Sequence, residues 1–145
     1  MRLGLIGLGR IGAFHAATLR GLSAVDELVV TDPLPGVGAA LAAATGVVSV
    51  ASTAELLGSG IDGVVIASST PTHLELLRAA VGAGLPTFCE KPVAEDPYAA
   101  ADLVEFVEAH RIVPDVDETF LLERVNDALD RMASGEQSGK IVLTI

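Results

Sequence analysis

Gly7-Leu8-Gly9-Arg10-Ile11-Gly12 is a G-x-G-x-x-G run near the start of a 145-residue chain. Three glycines at this spacing suit a pyrophosphate. The first permits a tight turn, the second lets the backbone approach the phosphates, and the third lets a helix pack closely on the preceding strand. The helix N-terminus that follows presents free N–H groups to the anion. The run is weak by itself and strong in context, because an apolar strand, Leu3–Ile6, precedes it and a helical pattern, Ile11–Leu22, continues from it. A glycine turn without a ligand is the bland alternative. Asp32 stands twenty residues after Gly12, at the end of a second apolar strand. That offset matches the acidic residue that bonds the adenosine ribose hydroxyls. A carboxylate there repels a 2′-phosphate, and Pro33 supplies no cation to hold one. NAD is therefore expected over NADP. The alternative is an aspartate that caps a turn at the strand end.

Two further stretches carry polar groups at strand ends. Ser68-Ser69-Thr70-Pro71-Thr72-His73 follows the fourth strand, where open α/β sheets bind ligands. Its hydroxyls suit a ribose or a nicotinamide amide, or equally the N-cap of a helix that begins at Pro71. His73, inside the first helical turn, reads as structural more readily than as catalytic. Glu90-Lys91-Pro92 ends the fifth strand. A lysine beside a cofactor cleft can donate to a substrate hydroxyl or act in acid–base chemistry when burial lowers its pKa; otherwise it is a surface turn.

The elements that must position these groups alternate. Strands are expected at Leu3–Ile6, Leu28–Thr31, Val47–Val50, Ile61–Ala67 and Pro86–Cys89, and helices at Ile11–Leu22, Val37–Ala44, Thr53–Leu57 and Pro71–Ala83. Ser52-Thr53-Ala54-Glu55 is a capping box for the third helix. The strands are apolar without alternation, as strands buried on both faces are. Together they predict a doubly wound parallel α/β sheet, a Rossmann fold. Beyond Cys89 the pattern predicts a helix Tyr98–Ala109, an extended piece Ile112–Val116, a helix Leu121–Met132 with one apolar stripe, and a terminal strand Ile141–Ile145. The expected organisation is a dinucleotide-binding core over 1–95 and a tail over 96–145 that completes or extends it.

Composition narrows the function classes. Half the residues are hydrophobic and 19% are charged, so the chain has ample material for a core. The net charge of −10 opposes a general nucleic-acid binder. No apolar run approaches the ~18 residues of a membrane span, and the glycine-interrupted start does not read as a signal peptide. One cysteine, Cys89, excludes an intrachain disulfide and a cysteine-cluster zinc site. A cytoplasmic protein without a metal is the expectation. Residues 1–90 hold 4 basic and 7 acidic side chains, a net of −3, whereas residues 91–145 hold 5 and 12, a net of −7.

The glycine run, Asp32, Ser69-Thr70-Pro71-x-His73 and Glu90-Lys91-Pro92 together resemble the N-terminal domain of the glucose–fructose oxidoreductase/inositol dehydrogenase family, over residues 1 to about 95. Inositol dehydrogenase-like members look closest. The resemblance implies that Lys91 contacts the nicotinamide ribose and the substrate hydroxyl and is the catalytic candidate. It implies a cis bond before Pro92, NAD as cofactor and a small polyol as substrate. The candidate cofactor-binding set is Gly7, Gly9, Arg10, Ile11, Gly12, Asp32, Ser68, Ser69, Thr70, His73, Glu90 and Lys91.

The chain then departs from that pattern. The family continues into a second domain that supplies an aspartate and a histidine, and nothing here is long enough to be it. Asp117-Glu118-Thr119-Phe120-Leu121-Leu122 stands where arginines are expected. The last third instead resembles the C-terminal end of medium-chain alcohol dehydrogenases and quinone reductases. The resemblance runs through Asp102–Val107, Ile112-Val113-Pro114, Glu118-Thr119-Phe120, Leu122–Leu129 and Gly139–Leu143. Joined between Pro92 and Ala101, the two pieces read as a fusion, natural or artificial. Two readings follow: an NAD-dependent oxidoreductase domain of the polyol type whose turnover alone is low or absent, and a non-catalytic nucleotide-binding module. The apolar stripe of the tail helix and the terminal strand predict a homodimer.

Overall fold

The structure, a computed structural model, describes residues 1–95, 105–109, 113 and 115–145. The chain divides into two compact units, Met1–Ala101 and Asp102–Ile145.

In the first unit, β1 (Arg2–Ile6), β2 (Glu27–Thr31), β3 (Val48–Ser49), β4 (Gly63–Ile66) and β5 (Thr87–Cys89) form one sheet in the order β3-β2-β1-β4-β5. Every pairing in it is parallel. The helices α1 (Arg10–Gly21), α2 (Val37–Thr45), α3 (Thr53–Leu57) and α4 (His73–Gly82) make the crossovers. The chain steps outward from β1 to β3 and then returns to the other side of β1. The order therefore reverses between β1 and β4, the point at which doubly wound sheets open a ligand crevice.

The strands are apolar throughout because both faces are covered. Successive side chains point to opposite faces. Leu5, Leu28, Val30 and Val65 pack with Ala16 of α1 on one side. Ile6, Val29, Val64 and Ile66 pack with Leu56 of α3 and Ala80 of α4 on the other. The capping box forms with one change of partner. Ser52 Oγ accepts the Glu55 N–H at 3.1 Å, and the Glu55 carboxylate accepts the N–H of Ala51 at 2.9 Å.

The second unit holds a separate sheet of two parallel strands, β6 (Val116–Leu121) and β7 (Lys140–Thr144). Here the sequence expectation needs correction. The helix expected at Leu121–Met132 starts later. Leu121 is the last residue of β6 and pairs with Thr144, Leu122–Arg124 is a 3₁₀ turn, and the helix α6 runs Val125–Ser134. The extended piece expected at Ile112–Val116 contributes only Val116 to a strand; Ile112 and Pro114 lie outside the described residues. Of the helix expected at Tyr98–Ala109, residues 105–109 are helical, the described part of α5, and 98–104 lie outside the described residues. β6 and β7 pair with one another, and neither is a strand of the five-stranded sheet. Arg131 of α6 grips Asp117 of β6 with two hydrogen bonds, 2.9 and 3.1 Å, and Phe120 and Ala128 are buried. No helix among the described residues is long and apolar enough to cross a membrane.

Candidate dinucleotide site

The carboxyl ends of β1, β2, β4 and β5 open onto a cleft of about 1150 Å3 in the first unit. Gly7, Gly9, Arg10, Ile11, Asp32, Ser68, Ser69, Thr70, His73, Glu90 and Lys91 all line it. Gly12 is the one member of the expected set that does not.

The backbone leaves no room for a side chain at Gly7 or Gly12. Gly7 adopts φ +91°, and its N–H donates to Thr31 O at 2.9 Å. A Cβ there would lie 2.5 Å from Ser68 Cα, so no side chain fits between β1 and β4. A Cβ on Gly12 would lie 1.9 Å from Gly7 O, because α1 rises directly over the end of β1. A Cβ on Gly9 meets nothing within 4 Å. Gly9 also caps α1 without a side-chain acceptor, and the first turn holds no acidic residue. The uncapped N–H groups at this positive helix end suit a pyrophosphate, and the open face at Gly9 leaves it room.

Asp32 has already committed part of its carboxylate. Oδ2 accepts the Leu8 N–H at 2.7 Å and Oδ1 accepts the Leu34 N–H at 2.8 Å. The side chain therefore caps the turn, as the bland reading has it, and lines the cleft as well. Each carboxylate oxygen keeps a lone pair for a ribose hydroxyl.

The serine–threonine turn holds itself together. The Thr72 hydroxyl donates to Ser69 O at 2.8 Å, so Ser68 Oγ, 2.7 Å from Thr72 Oγ1, is the donor of that pair. Ser69 makes no side-chain cap on the 3₁₀ turn Thr70–Thr72. His73 is 2% exposed, with Nε2 at 2.9 Å from Ser68 O and Nδ1 at 2.8 Å from Pro92 O. Both ring nitrogens face backbone carbonyls, which favours a structural role: the ring ties the turn after β4 to the segment after β5.

The Lys91–Pro92 bond is cis, as the family resemblance implies. Glu90 N–H donates to Ile66 O at 2.9 Å, which extends the β4–β5 ladder to the cleft. Its carboxylate reaches across to α1, where His15 Nε2 lies 2.7 Å from Glu90 Oε1. The Lys91 N–H donates to Oε2 at 3.3 Å. The His15 hydrogen bond holds the Glu90 carboxyl below its ordinary pKa, against partial burial and with help from Lys91. His15 is the site neighbour that sequence reasoning missed. The available signal was its place three residues after Gly12, on the helix that the glycine run opens. Among the described residues, no cluster of three or more His, Cys, Asp or Glu is arranged to hold a metal.

Cys89 lies beside this segment, and burial first, then the Glu90 charge, pushes its thiol up to about 11. Alkylation by iodoacetamide at pH 8 is expected to run roughly ten- to a hundredfold slower than for a free cysteine, because the thiolate fraction collapses faster than its nucleophilicity rises. A rate equal to that of glutathione under the same conditions would contradict it.

Residues 1–116 match the family described as "Oxidoreductase family, NAD-binding Rossmann fold", GFO_IDH_MocA. Inositol 2-dehydrogenase 1 of Saccharopolyspora erythraea is 41% identical over 116 residues, covering 77% of this chain and 33% of the relative. The crystal structure of a putative myo-inositol dehydrogenase from Sinorhizobium meliloti superposes with a TM-score of 0.70 at 32% identity, over 77% of this chain and 34% of that one. The WlbA dehydrogenase from Bordetella pertussis, solved in complex with NADH and UDP-GlcNAcA, gives 0.67 at 28% identity, over 77% and 34%. The chain thus spans about a third of the length of the curated relatives it matches. The resemblance of the last third to alcohol dehydrogenases has no counterpart among these matches. The chain belongs to the GFO_IDH_MocA oxidoreductase family, and its first unit is an inositol dehydrogenase-like NAD(P)-binding Rossmann domain.

Proposed function

We propose that the first unit binds NAD in preference to NADP, with the pyrophosphate over the Gly7–Gly12 turn and the adenosine ribose on Asp32. The observation that carries this reading is the pairing of an uncapped α1 N-terminus with open space at Gly9, next to the Asp32 carboxylate in one cleft. The fit is good on this chain's own terms. The turn has the room and the N–H donors for a pyrophosphate, and the acidic strand end repels a 2′-phosphate. Bound NAD would supply the hydride acceptor at its nicotinamide ring. Ser68, Ser69 and Thr70 offer hydroxyls along the cleft toward Glu90 and Lys91. In this reading Lys91, which lines the cleft, holds the nicotinamide ribose and the hydroxyl of a small polyol through its ammonium N–H donors, and Glu90 sets the segment that carries it. His73 acts by tying Ser68 to Pro92 rather than by touching the dinucleotide.

Calorimetric titration with NAD and NADP tests the reading: NAD is expected to bind at least about tenfold more tightly, the scale of one uncompensated charge contact. Tighter binding of NADP would overturn it. With myo-inositol and NAD, the 145-residue chain by itself is expected to form NADH slowly or not at all. It spans a third of its relatives' length, and substrate positioning can supply ~7–11 kcal/mol of barrier reduction. A robust polyol-dependent rate, lost in Lys91→Ala, would make this chain a complete enzyme.

The family match over residues 1–116 runs past the junction expected between Pro92 and Ala101; beyond it, we propose that residues 117–145 are of the medium-chain alcohol dehydrogenase type, a reading supported by the parallel pairing of β6 and β7 around α6. We also propose a cytoplasmic homodimer joined through this unit. Leu121, Leu122, Leu129, Met132 and Leu143 are 42–58% exposed, and apolar side chains of this kind are usually covered by a partner. Light scattering after size exclusion at micromolar concentration should give twice the chain mass. A monomer unchanged by deletion of residues 140–145 would refute the assignment.

A further inference from the structure

We propose that His15 is a positioning residue for the nicotinamide end of the cleft: its hydrogen bond to Glu90 couples α1, whose N-terminus faces the pyrophosphate, to the segment that presents Lys91. This rests on the NAD reading above. The geometry is specific. His15 lies on α1, and Nε2 meets Glu90 Oε1 at 2.7 Å across 75 residues of sequence. The other carboxylate oxygen accepts the backbone N–H of Lys91 at 3.3 Å, so one carboxylate spans α1 and the backbone of the segment that carries the lysine. The imidazole packs beside two rings, with Phe88 edge-on at 5.6 Å and Phe14 at 6.1 Å between centroids. The pair is mostly shielded, with His15 19% and Glu90 23% exposed, where a charge-assisted hydrogen bond keeps its strength. Glu90 and Lys91 line the cleft, whereas His15 does not. His15 therefore acts through Glu90.

The test compares NADH with ADP, which lacks the nicotinamide half, by titration calorimetry on the full chain. His15→Ala is expected to weaken NADH roughly tenfold, the size of one hydrogen bond to a charged group, and to leave ADP unchanged. His15→Gln, whose amide can donate to Glu90, should recover most of the loss. Glu90→Gln keeps the shape and removes the charge; it should weaken NADH with ADP unchanged, and it carries the test should His15→Ala fail to fold. The proposal is overturned if the variants leave NADH affinity within about twofold of the wild type, if NADH and ADP weaken together, or if His15→Gln is no better than His15→Ala. Loss of both ligands by the unmodified chain would instead refute the NAD reading, and this proposal with it.

Discussion

Gly12→Ala should lose NAD binding by at least about a hundredfold and melt at a lower temperature than the wild type, whereas Gly9→Ala should lose binding with an unchanged melt. The difference lies in what a Cβ meets. At Gly12 it would sit 1.9 Å from the carbonyl oxygen of Gly7, which is backbone and cannot step aside. Either α1 or the turn must move by more than an ångström, and forcing extra atoms into a packed contact costs ~1–3 kcal/mol or more. The same movement carries the α1 N–H groups away from the site they face, so the loss of stability and the loss of affinity share one cause. At Gly9 the Cβ would enter open space, in the cleft that Gly9 lines. The fold tolerates it and the pyrophosphate does not. Thermal unfolding and calorimetry on the two variants check this directly. If Gly12→Ala bound NAD normally, the glycine turn would not be the pyrophosphate site.

Asp32→Ala is expected to show two effects together: a weaker NAD complex with a smaller preference over NADP, and a less stable apo domain. The first follows from removing the ribose acceptor and the charge that repels a 2′-phosphate. The second follows from the hydrogen bonds the carboxylate already makes. Leu8 N–H and Leu34 N–H lose their acceptor; the exposed Leu34 donor can turn to water, whereas the partly buried Leu8 donor is left unsatisfied at a cost of ~1–3 kcal/mol. The Leu8 contact matters further, because Leu8 sits between Gly7 and Gly9 and its loss loosens the phosphate turn itself. Asp32→Asn separates the two effects: its amide oxygen keeps one of the acceptors, so stability should fall less while charge discrimination falls fully. Urea unfolding of both variants, with NAD and NADP titrations beside it, reads them apart. Retention of full NAD preference in Asp32→Asn would show that the discrimination lies elsewhere.

Where one local pattern decides the outcome, the fold of this chain is legible in its sequence. The apolar runs Leu3–Ile6, Leu28–Thr31 and Ile61–Ala67 fall on β1, β2 and β4, strands covered on both faces, and their composition alone reports that. The Ser52–Glu55 box starts its helix at Thr53 because both of its contacts span only a few residues. The glycine spacing likewise marks the turn, since φ +91° at Gly7 is a local demand that glycine meets at no steric cost.

The tail shows the limit. Leu121 and Leu122 fit the 3.6-residue stripe of the following helix, but Leu121 belongs to β6. Pairing with Thr144, a partner far along the chain, outweighs local helical periodicity, and no short window of sequence contains that partner. Arg131 reaching back to Asp117 depends on the same distant arrangement.

The parallel α/β class, the glycine turn and the acidic end of β2 are legible in local sequence, because they follow from side-chain period, glycine's backbone freedom and a fixed offset along one strand–helix–strand unit. The use made of the polar groups emerges in three dimensions alone: both Asp32 oxygens already accept backbone N–H groups, both His73 nitrogens face carbonyls, and Glu90 leans on His15. Hydrogen-bond partners are chosen by distance in space, and the partners of Asp32, His73 and Glu90 are set by how the crossovers lay β1, β2, β4 and β5 side by side.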